Sequence, residues 1–389
     1  MAAKLLLPFL LVVNSVICAK NVPCVTPKDL PGTCVQLRQC KPLQEILKRS
    51  SFSSTIEKRE FIANWRCSHR NKRVCCPMEN ASQPDVLSVE QHINYKLLPS
   101  LYSCGISNPD DRLWGANETK PLEYPWMALI EIGNNEFSEI ETKRKRRNFP
   151  CGGTVINSRY ILTAAHCITK LGENATVIGV RLGEHDLSTD TDCSSPGLCP
   201  SVKDIAVEKI IPHPGFNGYV GSWYDTRNDI GLIRLAQAID FDDDYEVIAP
   251  ICLPVTQDMR GKNLDKLELI VTGWGRTNTA ENKQRMTDKL LQINISIAPN
   301  DLCKNKYKSF TVGQICAVGQ KTAGTCIGDS GGPLMYHGGI PKPKQIKFVQ
   351  YGVVSAGLHG QCDGDLEGKT TVFTSVAHHL NWILDQLEP

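Results

Sequence analysis

Beyond its first twenty or so residues this chain has no apolar run long enough to cross a bilayer, which excludes a membrane-spanning helix further along. Charge of one sign is not in excess either. Lys and Arg number 43 against 41 Asp and Glu, a net charge of +2, so composition argues neither for nor against a nucleic-acid partner. No internal repeat is present. The N-terminal cysteine cluster lacks CxxC pairs, which argues against a zinc site there. Cysteine itself is abundant, with 17 residues. Residues 1–19 carry Lys4, then a run of Leu, Pro, Phe and Val, then small residues around Cys18 and Ala19. They read as a secretory signal peptide, because an apolar core of about a dozen residues is too short to span a membrane. Removing Cys18 with that peptide leaves an even 16, the count expected of a disulfide-bonded chain in an oxidising compartment. Sequons at Asn80, Asn117, Asn174 and Asn294 offer glycosylation sites on a secreted chain. At 389 residues, two unequal domains are expected.

Three short motifs carry the chemistry. Gly328-Asp329-Ser330-Gly331-Gly332-Pro333 sets a serine among small residues at a turn, where its hydroxyl is exposed and backbone N–H groups can reach a developing oxyanion. Leu162-Thr163-Ala164-Ala165-His166-Cys167 supplies a histidine beside a cysteine. Asn228-Asp229-Ile230-Gly231-Leu232 supplies an acid entering an apolar strand. In this order, His then Asp then Ser, the chain resembles the chymotrypsin-family serine proteases from about Leu113 onward. The resemblance implies Ser330 as nucleophile, His166 as general base and then acid, Asp229 as the residue orienting the imidazole, and the Gly328 and Ser330 N–H groups as oxyanion hole. It also implies an all-β fold of two six-stranded antiparallel barrels. Leu380, Ile383, Leu384 and Leu387 stand at helical spacing and predict a C-terminal helix over 376–387.

Cys24, Cys34, Cys40, Cys67, Cys75 and Cys76 fall within 53 residues and are followed by 27 without cysteine. A module this small needs crosslinks to fold, and adjacent Cys75 and Cys76 are poorly placed to bridge each other. Six cysteines allow 15 connectivities. The spacing, ending in a vicinal pair ahead of a protease, resembles the clip domain of arthropod clip-domain serine proteases, of the B type. That resemblance implies Cys24–Cys75, Cys34–Cys67 and Cys40–Cys76. In the protease region it implies Cys104–Cys252, Cys151–Cys167, Cys193–Cys199, Cys303–Cys316 and Cys326–Cys362. The expected division is signal peptide 1–19, clip domain 24–76, linker and activation segment 77–112 and protease domain 113–389.

Arg112-Leu113-Trp114-Gly115 stands shortly before the apolar run 124–130. The resemblance implies cleavage after Arg112 by an upstream trypsin-like protease. The freed Leu113 amine then pairs with Asp329, since an unpaired buried carboxylate is costly until a cation reaches it. Relatives usually carry Ile-Val-Gly-Gly at this cut, where this chain has Leu-Trp-Gly-Ala. At the position of the trypsin-type specificity acid the chain has Gly324, and the facing wall reads Ser355-Ala356-Gly357. If Thr371 replaces the usual glycine, the S1 pocket is shallow and takes small apolar residues. If the extra residues of the following segment lie elsewhere, the slot is deeper. Asp363, Asp365 or Glu367 entering the pocket would instead restore a basic preference. The expectation is a chymotrypsin- or elastase-like preference rather than a trypsin-like one.

Two loops invite partners. The cations 143–147 suit an acidic macromolecule or polyanion, or simply form a solvated loop. Glu184, Asp186, Asp190 and Asp192 fall in a loop that binds calcium in several relatives, or are solvated acids. No other cofactor is expected. His213, His378 and His379 are assigned no chemistry. The resemblance implies a secreted zymogen in a haemolymph cascade (melanisation or Toll-type signalling). Its partners would be an activating protease, downstream zymogens or prophenoloxidase-like substrates, and serpins, with neither nucleic acid nor membrane. The alternative is a weakly active or non-catalytic clip-protease homologue acting as a binding cofactor or regulatory scaffold.

Overall fold

The structure is a computed structural model that describes residues 22–25, 31–49, 62, 65–68, 73–77, 89–107, 118–134, 147–169, 171–172, 174–193, 199, 201–220, 223–244, 247–265, 267–277, 285–307, 309–319, 328–340, 344–357 and 370–389. The proposed signal peptide, Arg112, Leu113, Gly324, Cys326, Cys362, Asn80 and Asn117 lie outside these. The chain divides into two compact units, 1–87 and 88–389.

The first unit is a small antiparallel sheet in the order β1-β2-β4-β3, from β1 (Val22–Val25), β2 (Pro31–Gln36), β3 (Arg66–Ser68) and β4 (Arg73–Pro77). Its apolar centre is modest: Leu43 of the helix Lys41–Arg49 packs with Trp65, Val74, Cys40 and Cys76. Three disulfides, Cys24–Cys75, Cys34–Cys67 and Cys40–Cys76, supplement it. Successive strand residues point to opposite faces. Neighbouring Cys75 and Cys76 therefore staple different partners, one on β1 and one beside the helix.

The second unit holds two closed barrels. One follows β12-β7-β6-β5-β8-β9, from β5 (Met127–Asn134), β6 (Cys151–Val155), β7 (Tyr160–Thr163), β8 (Ala175–Leu182), β9 (Lys203–Pro212) and β12 (Gly231–Leu235), with a side ribbon β10 (Gly218–Val220) and β11 (Trp223–Asp225). The other follows β13-β16-β17-β20-β19-β18, from β13 (Glu268–Gly273), β16 (Leu291–Ile297), β17 (Gln314–Val318), β18 (Pro333–Ile340), β19 (Gln345–Gly357) and β20 (Thr370–Ser375), with a ribbon β14 (Arg276–Thr277) and β15 (Arg285–Met286). All barrel pairings are antiparallel. Closure removes free strand edges. This is the expected all-β fold.

The barrels meet on a shared core. Trp126 is fully buried between Tyr124 and Phe348, in edge-on and tilted contacts at 5.8 and 5.1 Å. Thr154 of one barrel donates its hydroxyl to Gln350 of the other at 2.7 Å. The helix Val376–Gln386 is capped by the Ser375 hydroxyl, which accepts from the His378 N–H at 3.3 Å. It buries Val376, His379, Leu380, Ile383 and Leu384, and Leu387 follows as its C-cap. Disulfides join Cys104–Cys252, Cys151–Cys167, Cys193–Cys199 and Cys303–Cys316. Residues 89–107 differ from the linker expected of 77–112. They form short helical turns, Val89–Gln91 and Ile93–Leu97, packed on the barrels. The lack of sustained periodicity hid this, because a strap is held by its surroundings rather than by its own pattern.

Candidate active site

Each barrel contributes part of the candidate site. On the first, β7 ends in a tight turn, Ala165–Cys167, that presents His166. Asp229 sits just ahead of β12, after Asn228 at φ +54°, and its side chain is fully buried. Asp229 grips the histidine twice: Oδ1 accepts from the His166 backbone N–H at 2.9 Å, and Oδ2 lies 2.8 Å from Nδ1. That pairing makes Nδ1 the protonated nitrogen of the neutral ring and leaves Nε2 with a free lone pair for accepting a proton. Burial pulls the imidazole pKa down, but the charge and hydrogen bond of Asp229 outweigh it, and the result lies above the ordinary histidine value.

On the second barrel, Ser330 occupies the loop entering β18. Gly152 N–H donates to the Ser330 carbonyl at 2.8 Å, and Gly331 N–H donates to Val354 O at 2.9 Å, so the loop is fixed to both barrels. Gly331 has φ +79°, and a Cβ there would overlap Gly152 O and the Thr163 hydroxyl. Gly328 has φ +104° and lies under the Met286 thioether. Only glycine fits either position without strain. The Asp329 carboxylate enters space left by Gly273 and Gly275, and accepts from the Gly275 N–H at 3.0 Å.

Three residues behind Asp229 went unassigned as its supports in the sequence reading. Ser355, read as an S1 wall residue, donates its hydroxyl to Asp229 Oδ2 at 2.7 Å. Thr374 donates to the Asp229 carbonyl at 2.7 Å. His379, given no chemistry, places Nδ1 2.8 Å from Ser375 O and Nε2 3.0 Å from the Asn228 side chain, with His213 edge-on at 5.3 Å. Burial, above all, holds His379 at about 3, so the ring is neutral. The neutral ring carries one N–H between two acceptors, Ser375 O at Nδ1 and Asn228 Oδ1 at Nε2, while the Asn228 amide donates to Gly215 O at 3.3 Å. The two histidine positions carry no linear motif, so only the fold could reveal this support.

Of the other residues expected to line S1, Gly357 and Thr371 are direct cross-strand partners on β19 and β20, and Thr371 is buried. Cys151 and Cys167 lie close to His166, but their sulfurs are joined to each other.

The acidic loop resolves unevenly. Glu184 and Asp192 are buried together, Asp190 is exposed, and Asp186 accepts from the Ser188 N–H and hydroxyl at 2.9 and 2.6 Å. Burial, then the hydrogen bond and charge of Asp192, push Glu184 up to about 7, although Arg181 lies at 3.1 Å. Burial also opposes ionisation of Asp192. Donors at Asp186, Thr189 and His185 outweigh it and hold that acid below its usual value. Of the four acids, Glu184 and Asp192 are the two buried together, with the Arg181 guanidinium against Glu184. In the basic loop, Arg147 is committed to ion pairs with Glu131 and Asp204 and is thus withdrawn from the expected polyanion surface. The residues 143–146 are outside the described set. Asn174 is exposed, whereas the Asn294 amide donates to Glu268 at 2.7 Å in mid-strand.

Two six-stranded barrels, with a buried Asp–His pair on one and a glycine-framed serine loop on the other, define a chymotrypsin-like serine protease architecture. The trypsin family model matches residues 113–383, and that of the regulatory CLIP domain of proteinases matches 24–76. CLIP domain-containing serine protease B4 of Anopheles gambiae is 36% identical, over 94% of this chain and 91% of that protein. Melanization protease 1 of Drosophila melanogaster is 34% identical, over 92% of each. The crystal structure of the Drosophila Grass clip serine protease of the Toll pathway superposes with a TM-score of 0.60 at 30% identity, covering 94% of this chain and 96% of that one. The chain belongs to the trypsin family, as a clip-domain serine protease. The chemistry of that family needs no cofactor.

Proposed function

We propose that this chain is a secreted serine endopeptidase zymogen of an extracellular proteolytic cascade, activated by cleavage after Arg112. The single observation that carries the catalytic reading is the 2.8 Å pairing of His166 Nδ1 with fully buried Asp229, beside the rigid Ser330 loop. Ser330 Oγ attacks the substrate carbonyl carbon while His166 Nε2 takes its proton. The oxyanion is met by the Gly328 and Ser330 N–H groups, and the imidazolium gives its proton to the leaving amine. Water, deprotonated by the same imidazole, then releases the acid and restores Ser330. The cut would free the Leu113 amine to meet Asp329, whose carboxylate already lies between Gly273 and Gly275. For specificity, the side chain of Thr371 opposite Gly357 supports a shallow pocket for small apolar residues. The names of a melanization protease and of a clip serine protease of the Toll pathway support a role in melanisation or Toll-type signalling. Protein zymogens as substrates, a trypsin-like activator and serpin inhibitors are the partners that the family resemblance adds to this reading. No helix among the described residues is long and apolar enough to cross a membrane. Of the two described sequons, exposed Asn174 is the better glycan acceptor.

The test is activation by a trypsin-like protease, with N-terminal sequencing, phosphonate labelling and a peptide library. The expected outcome is a heavy chain starting at Leu113, labelling lost in Ser330→Ala, and cleavage after small or apolar residues. A library dominated by Arg and Lys would overturn the specificity, and labelling retained in Ser330→Ala would overturn the nucleophile.

A further inference from the structure

Residues 89–107 lie upstream of the family match, which begins at 113, and on the N-terminal side of the proposed cut. Yet they are built into the unit that holds the barrels. Val89 is buried in the main core, and Tyr95, Leu97, Leu98 and Leu101 pack against it. Polar contacts follow the whole segment. Glu90 pairs with Arg260 at 3.6 Å, and His92 Nε2–H donates to Asp385 at 2.9 Å while its Nδ1 accepts from the Asn94 N–H. The Asn94 amide donates to Leu384 O at 3.0 Å, in the last turn of the C-terminal helix, a carbonyl that also accepts from the Leu387 N–H at 3.2 Å. Asn157, in the turn between β6 and β7, donates to Leu97 O at 3.0 Å. Lys347, only 3% exposed, donates Nζ to Tyr102 O at 2.8 Å. Gly105 N–H donates to Pro250 O, and Phe348 N–H to Gly105 O, at 2.8 and 3.0 Å. Gly105 stands at φ +62°, where a Cβ would overlap Phe348 O. Ser107 closes the run by donating to Glu123 O at 2.8 Å.

We infer that residues 89–107 are a permanent strap of the catalytic unit. The strap stays seated after the cut between Arg112 and Leu113, and it retains the light chain with the clip unit even without the Cys104–Cys252 disulfide. This rests on the proposed cut. The face that receives it combines the end of the C-terminal helix, the β6–β7 turn, the first residues of β19, and the segments holding Glu123, Pro250 and Arg260. A buried lysine with a carbonyl as its partner is an expensive arrangement to leave open, since losing the strap would strand the ammonium. Burial holds its pKa below the usual lysine value. The strap also places His92 beside Asp385, an acid near a helix C-terminus, where negative charge is otherwise unfavourable.

The experiment uses the full chain with Cys104→Ser and Cys252→Ser, cut by a trypsin-like protease. Sequencing both new termini reports where the cut falls, independently of retention. Size-exclusion chromatography without denaturant then reads retention. Light and heavy chains are expected to co-elute, and adding Asn94→Ala with Lys347→Met is expected to lower the co-eluting fraction at least tenfold. A heavy chain eluting alone from the double serine variant would overturn the strap. A cut elsewhere would overturn the activation site instead. If the double serine variant does not fold, hydrogen exchange on the disulfide-intact protein decides. Asn94→Ala should raise exchange at Leu384 to Leu387, and unchanged protection there overturns the proposal.

Discussion

At the scale of the residue, the cleft depends on which nitrogen of His166 holds the proton. The Asp229 contact assigns it to Nδ1, and the raised pKa sets a pH window. Only the neutral imidazole accepts the proton of Ser330. The acid limb of kcat/KM is therefore expected to fall above the ordinary histidine value of about 6.5. An acid limb at or below that value in the cut enzyme contradicts the pairing. Asp229→Asn should leave the fold intact and reduce kcat about 10⁴-fold, through the wrong tautomer. Gly328→Ala should cost about 10²–10³ in kcat with little change in KM, since the added methyl would displace an oxyanion donor.

Glu184 gives a second window, of opposite sense to a paired acid. Its folded pKa of about 7 lies above the unfolded value near 4.5, so the native state binds more protons between those limits. Stability contributed by this group is complete below pH 4.5 and is lost as pH rises to 7. Asp192, depressed in the fold, acts in the other direction and only at lower pH. Melting temperature followed from pH 5 to 7.5 should show a fall that Glu184→Gln flattens. Calcium should raise the melting temperature at pH 7.5 in the parent and not in Glu184→Gln; an unchanged parent removes the ion from this pair.

At the scale of the element, the C-terminal helix does more than close the second barrel. Its first turn carries Ser375 and His379, and His379 reaches the residue before Asp229. Ser375→Ala removes the N-cap and should cost about 1 kcal/mol in denaturant unfolding. His379→Phe keeps a ring but leaves Ser375 O and Asn228 Oδ1 without the imidazole, a loss of about 1–3 kcal/mol for an unpaired buried group. If His379 positions the acid, kcat should fall in the Phe variant while KM holds, and an unaltered kcat would limit it to packing. The helix itself was readable from its apolar spacing. Its link to Asn228 was not, because 151 residues separate the partners.

At the scale of the whole molecule, control is expected to sit in the bond after Arg112. Arg112→Gln should abolish processing by a trypsin-like activator and hold activity at the uncut level. Processing at the normal rate would move the site elsewhere. The sequence by itself determined the catalytic types and their order, because a serine among glycines, a His-Cys pair and an acid entering a strand are local patterns with local chemistry. It also determined that the N-terminal module would need crosslinks, since cysteine density follows from how little apolar surface a short module can bury. Only the tertiary structure decided the rest. Barrel closure brings His166, Asp229, Ser355 and Thr374 together from four places in the chain. It buries Glu184 and Asp192 out of four acids in one loop, withdraws Arg147 into ion pairs, and turns a stretch with no pattern of its own into a strap. Those outcomes rest on contacts between residues tens to hundreds of positions apart, and such contacts are set by packing and desolvation, which no local spacing encodes.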